Sequence, residues 1–198
     1  MKIMIIKNKK MTSKMTTIMI ATIAISAFSL IGSEAYATNS YSWKWADVSQ
    51  DYFCTSSLTT ITKTSHVSPC SNLTTSSNVW EGISGSTWSL TETASSGTPV
   101  YAWTSGVSGA GLTVITINNG VPIGAYIAMN KNLSWEDSAQ DTSTNGYDWR
   151  SATGHEFGHL ANMKHSTNTI SVMYGSIAEN QVRRSPDTHD DSMMAANY

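Results

Sequence analysis

Charge is scarce in this chain: Asp, Glu, Lys and Arg make up 13 % of its 198 residues. Five of the 12 basic residues (Lys2, Lys7, Lys9, Lys10, Lys14) and one of the 14 acidic ones (Glu34) lie before residue 38, which leaves seven basic against 13 acidic residues, a formal −6, in the remainder. A mildly acidic, Ser/Thr-rich segment without a basic patch is a poor match to nucleic acid. Heptads and internal repeats are missing too, which argues against a coiled coil or a repeat array. There are only two cysteines, Cys54 and Cys70. The one long apolar run, Thr16 to Gly32, is short for a membrane span.

What the N-terminus does hold is ordered. A lysine-rich head precedes TTIMIATIAISAFSLIG, and AYA follows at 35–37. That order reads as a secretory signal peptide cleaved after Ala37, with a retained anchor as the alternative. No cysteine follows the cleavage site, which argues against a bacterial lipid anchor. The long head leaves both Met1 and Met11 as starts. Cleavage would leave Thr38–Tyr198, enough for one domain with a real core. In an exported chain two cysteines suggest one disulfide, Cys54–Cys70, closing a short loop and contributing roughly 3 kcal/mol. The alternative, a cysteine capping a metal in a latent precursor, lacks an Arg- and Pro-flanked switch motif.

Residues 54–78 are dense in Ser and Thr and read as loop or weak strand. Leu73, Trp80 and Ile83 fall near helical spacing, so a helix is expected over 72–87, weakened by Gly82 and Gly85. Strands are expected at 89–93, 100–104, 112–118 and 125–130, with turns at 95–99 and at Asn119-Gly120. LTVITIN (112–118) is the strongest of them. A long polar loop leads to a helix from Trp149 to Ala161. The stretch 185–198 reads as a C-terminal helix with Pro186 in its first turn and acidic residues at its start. The pattern is α+β with a mixed sheet.

Chemistry concentrates at HEFGHLANMKHS, residues 155–166. His155 and His159, four apart, share one helix face and can converge on one ion. Catalytic zinc takes nitrogens at about 2.0–2.1 Å and keeps one position open for water, which Glu156 is placed to contact. A straight helix would carry His165 roughly 15 Å along the axis from His155. The chain must therefore break and fold back between 159 and 165. Asn162 suits that reversal, since asparagine is the residue after glycine most tolerant of positive φ. His66 and His189 have no matching partners and read as a loop residue and a first-turn surface residue.

This stretch resembles the metzincin zinc peptidases, whose pattern is His-Glu-x-x-His-x-x-Gly-x-x-His followed by a methionine turn. Every position matches except Asn162. The resemblance implies a metzincin-like catalytic domain: a twisted, mostly parallel mixed sheet of five strands, a backing helix, an active-site helix and a C-terminal helix. It implies one catalytic zinc ion on His155, His159 and His165, Glu156 as catalytic acid/base, and Met173 as a floor under the metal, although Met173 also reads as ordinary core. Ser166 and Met173-Tyr174 resemble the matrixin branch. Met129-Asn130, Trp135, Tyr147-Asp148 and Asp190-Asp191 resemble its bacterial secreted members. Gly175 stands where the astacin and serralysin branches place a tyrosine near the metal. Without histidines between His66 and His155, the second zinc site of animal matrixins is not expected. Calcium would have to come from the acidic loop 136–148, which matches no defined calcium loop.

The implied function is a secreted, extracellular bacterial endopeptidase, acting as a monomer on protein or peptide substrates through a zinc-activated water. LTVITIN would be the edge strand that pairs an extended substrate, or else a central strand. Residues 174–185 would wall the pocket after the cleaved bond. Arg183 and Arg184 would bias that pocket or be solvated surface charges. Two alternatives are a zinc-binding interaction module without activity and a narrow-specificity processing or toxin protease.

Overall fold

The computed structural model describes residues 40–104, 109–137 and 145–198, and the backbone alone of 20–25. Most of the expected leader, and residues 138–144 of the acidic loop, lie outside the described residues. No helix among the described residues is long and apolar enough to cross a membrane.

The sheet is built from β2 (Ser49–Cys54), β3 (Ser89–Glu92), β4 (Thr98–Trp103), β5 (Gly111–Asn118) and β6 (Val121–Asn130), in the order β5-β6-β4-β2-β3. All pairs are parallel except β5 with β6. This is the mixed, mostly parallel five-stranded sheet of an α+β fold. A further strand, β1 (Ile20–Ile25), lies antiparallel on the outer edge of β5, from Ile20 opposite Asn118 to Ile25 opposite Thr113. Two short strands, β7 (Trp135–Glu136) and β8 (Tyr147–Asp148), pair with each other.

Three helices follow from local signals. The first, α1 (Pro69–Ser77), begins earlier and ends sooner than the spacing of Leu73, Trp80 and Ile83 suggested. Pro69 pre-sets the first turn, and after a short 3-10 turn at Asn78–Trp80 the chain leaves the helix. Gly82 and Gly85, at φ 70° and 86°, mark where it departs. Much of the stretch read as loop over 54–78 is thus helix. Cys54 and Cys70 form a disulfide with 5.4 Å between Cα atoms, joining the end of β2 to the first turn of α1.

The second helix, α2 (Trp149–Leu160), is buried along almost all its length. Asp148 caps it by accepting from Ser151 N at 2.7 Å. Tyr52 of β2 packs on Phe157 with ring centroids 4.8 Å apart. The Trp80 indole donates to Gly154 O at 2.7 Å. The third, α3 (Thr188–Asn197), starts with a capping box between Asp187 and Asp190. Pro186 therefore precedes the cap and is not in the first turn.

Of the two arginines read as pocket-lining or solvated, Arg184 is a partly buried ion-pair partner. Arg184 bridges Asp137 and Asp148, and Arg150 Nη2 lies 3.0 Å from Asp137 Oδ2. Burial opposes ionisation of Asp137, but the hydrogen bonds and charges of Arg184 and Arg150 outweigh it and hold its carboxyl below the ordinary 3.8. Because the folded pKa lies below the unfolded one, this stability is present above about pH 4 and is lost as pH falls further. Asp137→Asn should cost about 2 kcal/mol in urea unfolding at pH 7. The deficit should shrink at pH 2.5, whereas an equal deficit at both pH values would show that the carboxylate charge is immaterial.

Candidate metal centre

The site forms where α2 stops. Met163 N donates to Gly158 O and Asn162 N to His159 O, each at 3.0 Å. This 6→1 and 5→2 pair is the Schellman ending of a helix, and it requires a left-handed residue at the position of Asn162. Asn162 stands at φ 66°. The chain turns back there, and His165 returns to the other two histidines.

The three imidazoles converge. Their ring centroids are 4.6, 5.1 and 4.9 Å apart. One nitrogen from each lies within 4.8 Å of the others, forming the metal-competent His155, His159, His165 group among the described residues. His155 Nδ1 is 2.8 Å from Val172 O, and His159 Nδ1 is 2.8 Å from Met163 O. A carbonyl only accepts, so Nδ1 carries the proton in both rings and the lone pair of Nε2 is left for a metal. The 3.1 Å between Nε2 of His159 and Nε2 of His165 is close to the roughly 3.3 Å edge of a tetrahedral zinc site.

Electrostatics favour the neutral, metal-binding form. Burial, helped by His159, His165 and Arg183, pushes His155 well below its ordinary value, against the Val172 bond. Burial, helped by His165, pushes His159 to about 3, and burial alone pushes His165 to about 4. Metal ligation needs deprotonated imidazole, so no proton has to leave at neutral pH.

Glu156 is fully buried. Thr113 Oγ1 of β5 lies 2.6 Å from its Oε2. Its Oε1 has no hydrogen-bond partner. Burial raises the carboxyl to about 8, opposed by the Thr113 bond. An unpartnered carboxylate oxygen beside three neutral imidazoles fits a site completed by a cation and water. A nearby cation would favour the ionised form.

The turn below the histidines is tied to α3. Asp190 accepts from Ser171 Oγ at 2.5 Å and from Val172 N at 2.9 Å. Val172 O in turn orients His155, so Asp190 bears on that imidazole through Val172. Met173 is fully buried and its carbonyl accepts from Ser166 N at 2.7 Å. Gly175 comes so near His165 that an added Cβ would stand 2.8 Å from Nδ1. Arg183 clamps the following loop: Nε donates to Thr169 O at 2.7 Å, Nη1 to Ser176 O, and the guanidinium sits 4.9 Å over the Tyr174 ring.

Residues 108–198 match the family model of the matrixins. All three histidines, Glu156 and Met173 fall inside that match. Over that segment the chain is matrixin-like. No curated protein matches the chain. Similarity to the matrixins suggests a zinc metallopeptidase, a hydrolase. It also agrees with the sheet order, in which the antiparallel strand β5 lies next to the active helix.

Sequence reasoning named the histidines, Glu156, Asn162 and Met173 but missed what holds them. Thr113 sits within a strand, where alternation shows only that it points inward. Asp190 read as a helix-start acid, and its reach to the methionine turn is a tertiary fact. His66 is exposed, and His189 is half-buried in the first turn of α3.

Proposed function

We propose that the chain is a secreted zinc endopeptidase, with residues 1–37 as signal peptide and 38–198 as its single catalytic domain. His155, His159 and His165 would hold one zinc ion. Zinc bound there would supply Lewis acidity toward the scissile carbonyl. Glu156 would take a proton from the attacking water and pass it to the leaving amine, so that proton and bond changes balance. Thr113 restrains Oε2 and leaves Oε1 to exchange the proton. The outer edge of β5 would hold an extended peptide by backbone hydrogen bonds. In support, that edge carries an antiparallel strand, Ile20–Ile25, along its length. Met173 would floor the site.

The observation that carries this reading is the convergence of three imidazoles, two of them on the helix that also carries the buried, half-satisfied Glu156. The test is metal analysis of the purified chain together with cleavage of a denatured mixed protein substrate. One zinc per chain is expected, with cleavage lost to a chelator and regained with zinc. Cleavage indifferent to chelation would overturn the proposal.

A further inference from the structure

Residues 40–45 cross the end of α2 and touch every part of its reversal. Ser40 forms an isolated antiparallel bridge with Met163. Tyr41 N donates to Asn162 Oδ1 at 3.0 Å, and Asn162 Nδ2 donates to Trp43 O at 2.5 Å. The Trp45 indole donates to Leu160 O at 2.8 Å. Lys44 Nζ reaches Asn197 O at 2.7 Å. The Tyr41 and Trp43 rings stack, 5.9 Å apart, and Lys164 Nζ lies 5.1 Å over the Tyr41 ring.

A carboxamide offers one acceptor and an N–H donor, the same pair that a peptide group offers a neighbouring strand. Asn162 spends both on the backbone of 41–43. Glycine could make the left-handed turn but could not make these bonds. The contacts reach the metal ligands directly: Met163, bridged by Ser40, gives its carbonyl to His159 Nδ1, and Lys164, held against Tyr41, precedes His165. A loose strap would free the two residues that set the position of both rings.

We infer that Asn162 is a positioning residue, whose amide docks residues 40–45 as a strap that holds His159 and His165 in place for the metal. The inference rests on the zinc reading above. Groups that orient ligands typically change metal affinity 10–100-fold when removed.

The test compares the full chain with Asn162→Gly, Asn162→Asp and Trp45→Phe. Two quantities are read: backbone hydrogen exchange at 41–45 and the rate of zinc transfer to a chelator. Asn162→Gly keeps the turn and should raise both by about tenfold. Asn162→Asp keeps the acceptor for Tyr41 N and should restore part of the difference. Trp45→Phe leaves residue 162 untouched and should move both readouts in the same direction. Should the glycine variant fail to fold, the other two decide. Wild-type exchange and wild-type zinc release in the variants that fold would overturn the inference, as would fast exchange at unchanged zinc release. A wild-type chain that takes up no zinc is a different result, which overturns the metallopeptidase reading itself.

Discussion

Glu156→Gln is expected to lower kcat by roughly 10²–10⁴-fold while one zinc per chain stays bound. The side chain is fully buried, and Thr113 Oγ1 already holds one of its oxygens at 2.6 Å. Glutamine matches glutamate in shape, and its amide oxygen can accept the same Thr113 hydrogen bond. The fold and the three histidines should therefore persist. What glutamine cannot do is take up a proton at neutral pH, and that is the step assigned to Glu156. The measurement is steady-state cleavage of a peptide library by wild type and variant, with metal content determined on the same samples. Equal residual cleavage at equal zinc content would leave the chain a zinc-binding module without enzymatic activity. Loss of zinc in the variant would instead place Glu156 in the ligand set, contrary to the geometry, in which among the described residues the three histidines form the cluster.

The site was legible because its signal is local. Two histidines and Glu156 lie within one helical stretch, and the third histidine follows six residues after the second, so bringing all three together demands a reversal. The φ of 66° at Asn162 follows from that demand. The sheet was legible where β-branched residues cluster, as in β5. Strand β2 was not foreseen, because only Tyr52 of its six residues is buried and SQDYFC carries no alternating apolar run. Its place inside the sheet is set by neighbours 40 or more residues away, which no local pattern encodes. The same holds for the amide of Asn162, whose partners are about 120 residues earlier in the chain. Local chemistry was readable, and the tertiary bonds that aim it were not.

Two glycines of α2 should respond to alanine with opposite signs. By helix propensity alone each Gly→Ala change would stabilise by up to about 1 kcal/mol. At Gly154 the nearest atoms to an added Cβ are 3.6 Å away, an ordinary contact, so the propensity gain should survive. At Gly158 the same carbon would stand 2.2 Å from Met173 Sδ, 2.8 Å from Trp80 Cζ2 and 3.1 Å from Met163 Cε. Methionine can bend aside, but Trp80 is fully buried and its indole is bonded to Gly154 O at 2.7 Å. Overpacking of this kind typically costs 1–3 kcal/mol, which exceeds the propensity gain. Gly158→Ala should thus lower the urea midpoint and Gly154→Ala should raise it. Relief of the clash also has a direction. It pushes Met173 and Met163 away from α2; Met173 follows Val172, whose carbonyl bonds His155, and the Met163 carbonyl bonds His159. Zinc should therefore leave Gly158→Ala faster than wild type, while Gly154→Ala keeps the wild-type rate. A stabilised Gly158→Ala with unchanged zinc release would mean that the methionine turn gives way freely and does not brace the ligands.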